Sequence, residues 1–260
     1  MKIRDGSGYQ GLIDRFRTAR SDQSLAVLEG FHSLKHALRF GATVIETVTR
    51  DAEQLGRLAE SLAPDLTGNL GNGATQVPES IFKQLSPVPP ATGVISLARR
   101  PLFEAERLNK SAPLVLLENP RSHGNVGAVI RVAAAAGAAG VVTTGEHDPW
   151  HPSALVGSAG LHFALPVARI SETAVEEWPR YMTDRRLIAV DPEGESLKPG
   201  SIPEGAILAF GNERDGLSRG LLDAAHSRTA IPMEPGVSSL NLATAVAVTL
   251  YAWRLEQPPS

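Results

Sequence analysis

Cysteine is missing from the whole 260-residue chain, which excludes a disulfide framework, thiolate metal sites and a thiol nucleophile. A membrane-length hydrophobic run is missing too. The longest apolar stretch, Val132 to Val142, is mostly alanine and glycine and falls well short of the ~18 residues a span requires. The opening residues, Met1 to Gln10, hold charge and glycine where a secretory signal needs an apolar core, so an unexported, cytoplasmic protein is expected. Strong charge of either sign is also absent. The formal net charge of −3 does not advertise a polyanionic partner. Divided along the chain, Lys+Arg number 14 against 12 Asp+Glu over residues 1–110 and 11 against 16 over residues 111–260, which makes the first half the kinder to a polyanion.

What remains is ordinary globular composition, 42% hydrophobic and 20% charged, at a length that suits two modest domains of ~100–200 residues each. Hydrophobic periodicity places a strand at Leu25–Leu28, a helix from His32 to Phe40, a strand over Val44–Val48 and an amphipathic helix near 51–63 ended by Pro64. Gly68 to Gly73 reads as loop, followed by a short helix near Pro78–Leu85 and a strand at Gly93–Ala98. The charged segment Arg99–Pro113 predicts a boundary, with a smaller α/β domain over residues 1–107 and a second domain over 108–260. The second opens on a continuous apolar strand, Pro113–Leu117, of the kind buried on both faces of a parallel sheet, and an alanine-rich helix runs from Val126 to Gly137. Further buried strands are expected at Gly140–Thr143, Ala164–Val167, Leu187–Val190, Ala206–Phe210 and Thr229–Ile231, giving an α/β domain with a mostly parallel sheet.

Three segments of this second half carry chemical groups. In Gly124-Asn125-Val126-Gly127-Ala128-Val129-Ile130-Arg131, Asn125 suits the helix N-cap, and Gly127 leaves room above Arg131 one turn further on. The spacing is not that of a dinucleotide fingerprint. Leu208 to Ser218 is a strand running into a loop with Gly211 and Gly216 five apart, and Gly211 lets a flat ligand approach the backbone while Glu213 offers acceptors. In Ile231-Pro232-Met233 through Ser239-Leu240-Asn241, a strand ends, a Pro/Gly loop turns, and a helix starts that is apolar almost all round through Val246, Val248, Leu250, Tyr251 and Trp253. Such a helix suits a core or a subunit interface. Taken singly, each segment also reads as an ordinary capped helix or solvated turn.

In this order and at these distances the three segments resemble the motifs of the SpoU/TrmH-like branch of the SPOUT superfamily, RNA 2′-O-ribose methyltransferases. Asn125, Gly127 and Arg131 fit the first motif, Gly211, Glu213 and Gly216 the second, and Ile231-Pro232-Met233 with Ser239-Leu240-Asn241 the third. The resemblance spans roughly residues 113–256, with a looser likeness of the N-terminal half, through Leu28-Glu29-Gly30, to a substrate-binding domain. One departure stands out: family members often carry Asp-Pro where this chain has Ser122-His123. His123 is therefore either an added catalytic or phosphate contact or a solvated loop histidine.

The resemblance implies a trefoil-knotted sheet, S-adenosylmethionine as cofactor with no metal, and a homodimer with the active site near the subunit interface. It also implies RNA as substrate, ribosomal more readily than transfer RNA; a non-catalytic RNA-binding homologue is the rival. Arg131, Asn125, Glu213, Ser239 and Asn241 become the catalytic candidates. Phe210, Gly211, Asn212, Glu213, Gly216, Ile231, Met233 and Leu240 become the cofactor-binding ones. A guanidinium with a pKa above ~12 holds its proton firmly. Arg131 is therefore expected to bind a phosphate and stabilise the developing alkoxide, braced by Glu213, while Asn125 orients Arg131 or the ribose and Ser239 and Asn241 contact the target nucleotide or the arginine network. In the N-terminal domain Arg15, Arg17, Arg20, Lys35 and Arg39 are candidates for an RNA phosphate face or are ordinary helix charges.

Overall fold

The computed structural model describes residues 8–71, 73–170 and 184–257. The chain forms two compact units, Met1–Leu102 with Trp150–Ala164, and Phe103–Pro149 with Leu165–Ser260. The expected division at 107/108 has one crossing, whereas the chain returns to the first unit for residues 150–164.

The first unit contains α1 (Gly8–Ala19), β1 (Leu25–Glu29), α2 (Phe31–Arg39), β2 (Val44–Thr49), α3 (Ala52–Leu62), α4 (Thr67–Gly71), β3 (Ala74–Gln76), α5 (Glu79–Phe82) and β4 (Val94–Arg99). Its sheet runs β1-β4-β2-β3, antiparallel except between β2 and β3. Helix α1 goes beyond the sequence expectations, which begin at Leu25. Its buried Leu12, Ile13, Phe16 and Ala19 recur at helical spacing and join Val27, Val48, Phe82, Ile95 and Leu97 in one core. Polar Asp14, Arg15 and Arg17 interrupt that stripe in the linear sequence. The expected loop at 68–73 is corrected as well. Residues Thr67–Gly71 are helical, because the turn Pro64–Leu66 starts a helical path on which Leu66 and Leu70, four apart, are both buried.

The second unit contains β5 (Leu114–Leu117), α6 (His123–Ala136) and β6 (Gly140–Thr143); after the returning helix α7 (Pro152–Gly157) follow β7 (Val167–Arg169), β8 (Leu187–Ser196), β9 (Ile207–Phe210), α8 (Arg219–Ala224), β10 (Ser227–Ala230) and α9 (Leu242–Arg254). Six strands in the order β10-β8-β9-β5-β6-β7 make an all-parallel sheet. Every residue of β5, β6 and β9 is buried, which is why these strands read as unbroken apolar runs. Strand β7 starts three residues later than expected, since Pro166 has no N–H to give a neighbouring strand. The order proceeds β5, β6, β7 to one side and β9, β8, β10 to the other, so the topological switch lies between β5 and β9, where ligands settle at the carboxyl ends of open α/β sheets.

Within the first unit, α7 packs on β1. His162 is fully buried, its Nδ1 2.7 Å from Ser158 Oγ and its ring 5.0 Å from that of Trp150. His36 Nδ1 lies 2.7 Å from the Ala159 carbonyl, and burial holds its pKa below the usual 6.5 even though the Ala159 contact favours the charged form. A histidine whose folded pKa is lowered contributes stability above its unfolded pKa and loses it as pH falls through the folded one. The melting temperature is therefore expected to drop as pH is lowered from 7.5 towards 5, and His36→Gln should flatten part of that drop; an unchanged pH profile in the variant would contradict the assignment.

Candidate active site

Four loops meet at the switch. The loop after β5 leads into α6, whose N-cap is Ser122: its side chain accepts from Asn125 N at 3.3 Å. The expected cap, Asn125, is instead the third helical residue. Ser122 takes over the capping hydrogen bond, and this frees the Asn125 amide to face outward.

That amide joins a chain of hydrogen bonds. Asn125 Nδ2 donates to Glu213 Oε1 at 2.6 Å, and Asn241 Nδ2 donates to Asn125 Oδ1 at 3.1 Å. Asn241 caps α9, its Oδ1 accepting from Ala243 N at 2.9 Å and Thr244 N at 3.4 Å. Glu213 Oε2 accepts from Arg121 N at 3.2 Å. Burial raises the Glu213 carboxyl, but the hydrogen bonds from Asn125 and Arg121 and the nearby Arg121 charge outweigh it, holding its pKa below the ordinary 4.5. Glu213 is thus an anionic anchor at neutral pH and no general base.

The loop that carries Glu213 is closed on itself. Asn212 and Gly216 exchange backbone hydrogen bonds at 3.2 Å, and Asn212 Oδ1 accepts from Arg214 N and Asp215 N at 2.9 Å each. A Cβ on Gly211 would overlap the Gly216 carbonyl and Leu217 N, and Gly216 has φ +68°, so both positions call for glycine.

Between this loop, β8 and the segment 231–242 lies a cavity of about 860 Å³, within the size range of small-molecule and cofactor sites. Phe210, Gly211, Asn212, Glu213, Gly216, Ile231, Met233 and Leu240 all line it, as do Ser239 and Asn241. Sequence reasoning missed Val190 to Glu193. They reach the cavity because β8 breaks register with β10: Arg228 pairs with Ala189 but Thr229 with Glu195, so the residues between leave the ladder. No pattern in the linear sequence marks that jump.

Arg131 departs from expectation. It is solvent-exposed, does not line the cavity and has no hydrogen bond or ion pair with any described residue. Glu213 braces Asn125 instead. Six residues separate Asn125 from Arg131, about 9 Å of rise and a different helix face, so one carboxylate cannot hold both.

The five N-terminal cations do not form a free basic face. Arg15 binds Glu46 through Nε and Nη2 at 3.0–3.1 Å, and Arg39 binds Asp65 at 2.7–3.2 Å. Arg20 is held half-buried by Glu29 at 2.6 Å and the Leu85 carbonyl at 3.0 Å, a structural rather than a ligand contact. Arg17 meets Asp14 only loosely, at 3.5 Å on an exposed surface, and Lys35 forms no ion pair among the described residues.

A parallel sheet with a closed glycine loop, an Asn–Glu–Asn network beside its switch point and a cavity above the neighbouring strands β8, β9 and β10 defines an α/β enzyme class that binds a cofactor at the carboxyl edge. Residues 112–251 match the SpoU rRNA Methylase family, and the chain belongs to it. It is 31% identical over 245 residues to an uncharacterized tRNA/rRNA methyltransferase of Synechocystis sp., covering 92% of this chain and 86% of the relative. It is 26% identical to the 23S rRNA (guanosine(2553)-2′-O)-methyltransferase of Bacillus subtilis, covering 90% of each. Among solved structures, the SpoU methyltransferase AviRb from Streptomyces viridochromogenes in complex with AdoMet superposes with a TM-score of 0.77 at 24% identity, over 97% of this chain and 98% of that one. An RNA 2′-O ribose methyltransferase superposes with a TM-score of 0.75 at 28% identity, over 97% and 96%. Among the described residues no helix is long and apolar enough to cross a membrane.

Proposed function

We propose that this protein is a cytoplasmic, homodimeric methyltransferase that moves the methyl group of S-adenosylmethionine onto a ribose 2′-hydroxyl of ribosomal RNA. Family membership supports the reaction class. The observation that carries it in these residues is the Asn125–Glu213–Asn241 network at the lip of the cavity. The cavity suits the cofactor: Ile231, Met233 and Leu240 offer apolar walls for a nucleoside, and Asp191, Glu193, Glu213 and Asp215 outnumber Arg214 on the lining, although Asp215 and Glu193 also pair with Arg121 and Arg228. When bound, S-adenosylmethionine supplies an activated methyl group. The segment 231–241 is read as the threaded part of a trefoil knot; in support, the chain leaves β10 at the sheet edge and returns to pack α9 against α6.

The residues of the chain bind, orient and exclude water. Asn125 and Asn241, locked by Glu213 and the start of α9, present fixed amide groups to the target nucleotide, beside Ser239. Holding nucleophile and methyl group at near-attack distance is the largest contribution, up to ~7–11 kcal/mol in favourable models. Arg131 serves the site of a second copy. It stands exposed on α6, next to α9, whose Val248 and Tyr251 are 40% and 41% exposed, an apolar surface suited to a dimer contact. There its guanidinium binds a phosphate and stabilises the developing alkoxide, and as the O–CH3 bond forms and the S–CH3 bond breaks the 2′-hydroxyl proton passes late to solvent.

The family description and the 23S relative support ribosomal over transfer RNA. Incubation with methyl-labelled cofactor and separated ribosomal and transfer RNA checks this. Label in ribosomal RNA is expected; label only in transfer RNA overturns the substrate, and label in neither favours an RNA-binding protein without activity.

A further inference from the structure

The cofactor cavity occupies one side of the carboxyl edge, above β8, β9 and β10. The other side, above β5, β6 and β7, carries a second group of side chains that the cavity does not use. His123 is the first residue of α6, His147 follows β6 by four residues, and Arg169 ends β7. The two imidazoles are in contact, with ring centroids 4.9 Å apart and planes at 59°.

Tight loop packing fixes this pair. Asn119, at φ 45°, donates its N–H to Thr144 Oγ1 at 2.9 Å, and a Cβ on Gly145 would run into Asn119 Oδ1. His147 Nδ1 is buried without a hydrogen-bond partner among the described residues. Its Nε2 likewise has no hydrogen-bond partner among the described residues, which leaves a ring nitrogen for a ligand. Arg169 donates through Nη1 to the Glu146 carbonyl at 2.7 Å and forms no ion pair among the described residues. The carbonyl, being neutral, orients the guanidinium without compensating its charge.

We propose that this side of the edge seats the RNA strand beside the target ribose. The His123–His147 pair offers a ring nitrogen and a ring face to the nucleotide, and Arg169 neutralises one neighbouring phosphate. Two rings in contact next to one fixed cation suit a nucleotide, which combines an aromatic base with a single phosphate. The proposal rests on the RNA reading above and assigns a role to His123.

Filter binding to ribosomal RNA from cells lacking the enzyme tests it, with calorimetric titration of S-adenosylmethionine as the control for folding. His123→Ala, His147→Gln and Arg169→Gln are each expected to weaken RNA binding about five- to twentyfold and to raise KM for RNA, with the cofactor Kd unchanged. Arg169→Gln should also lower the slope of log affinity against log salt by about 0.7–0.9, and Arg169→Lys should restore it. Wild-type RNA affinity and salt slope in Arg169→Gln and His147→Gln, with cofactor binding intact, overturn the proposal. Should a histidine variant lose cofactor binding and so prove misfolded, the two Arg169 variants decide. A wild type that binds RNA but methylates none counts against the proposed activity alone, because the binding arm still decides this inference.

Discussion

Gly211→Ala is expected to weaken cofactor binding by roughly 100-fold, since overpacking a closed site costs about 1–3 kcal/mol and each 1.4 kcal/mol is tenfold. The added methyl would sit on the Gly216 carbonyl and Leu217 N, backbone atoms that cannot rotate aside as a side chain can. To make room, the loop must open the Asn212–Gly216 hydrogen bonds, which shifts Glu213 and breaks its hold on Asn125. Gly220→Ala, where the nearest atom is Ser218 Oγ at 4.0 Å, should bind cofactor as the parent does. Calorimetry on the two variants compares them directly; equal affinities would contradict the closed-loop geometry.

The second large effect belongs to Arg131. Arg131→Ala should lower methyl transfer by about 100- to 1000-fold, the scale of losing one charge-stabilising donor, with cofactor affinity unchanged because the side chain does not line the cavity. Arg131→Lys keeps the charge but loses the planar fork, and near-parental turnover in it would contradict the geometric role. At a cofactor concentration too low to load the Gly211→Ala loop, mixing Arg131→Ala with Gly211→Ala should recover about a quarter of the activity, the statistical share of dimer sites that combine an intact loop with Arg131 of the partner subunit. No recovery on mixing, with dimers shown to exchange, would place Arg131 in the site of its own chain.

Much of the catalytic unit is legible from sequence because its strands are buried on both faces. Runs such as Leu114–Leu117 and Ile207–Phe210 carry no competing pattern, and glycines at 211 and 216 mark backbone that a side chain would obstruct. The cavity lining follows from those loops. What depends on register or on distant packing is not legible. The cavity role of Asp191 and Glu193 arises from a jump in β8–β10 pairing, and the cap at Ser122 rather than Asn125 follows from which residue first leaves the helical conformation. The basic residues of the first unit illustrate the same limit. Composition counts Arg15, Arg20 and Arg39 as available charge, but Glu46, Glu29 and Asp65 stand opposite them only once the chain is folded. Helix α1 escapes because its apolar stripe is interleaved with charged residues.

The most direct test of the central claim is the position of the transferred methyl group on RNA. After reaction with isotope-labelled S-adenosylmethionine, ribosomal RNA is hydrolysed in alkali and the products are identified by mass spectrometry. The label is expected in a dinucleotide that resists cleavage, with the added mass on its ribose. Label confined to a nucleobase, or fully released as mononucleotide, would contradict 2′-hydroxyl methylation.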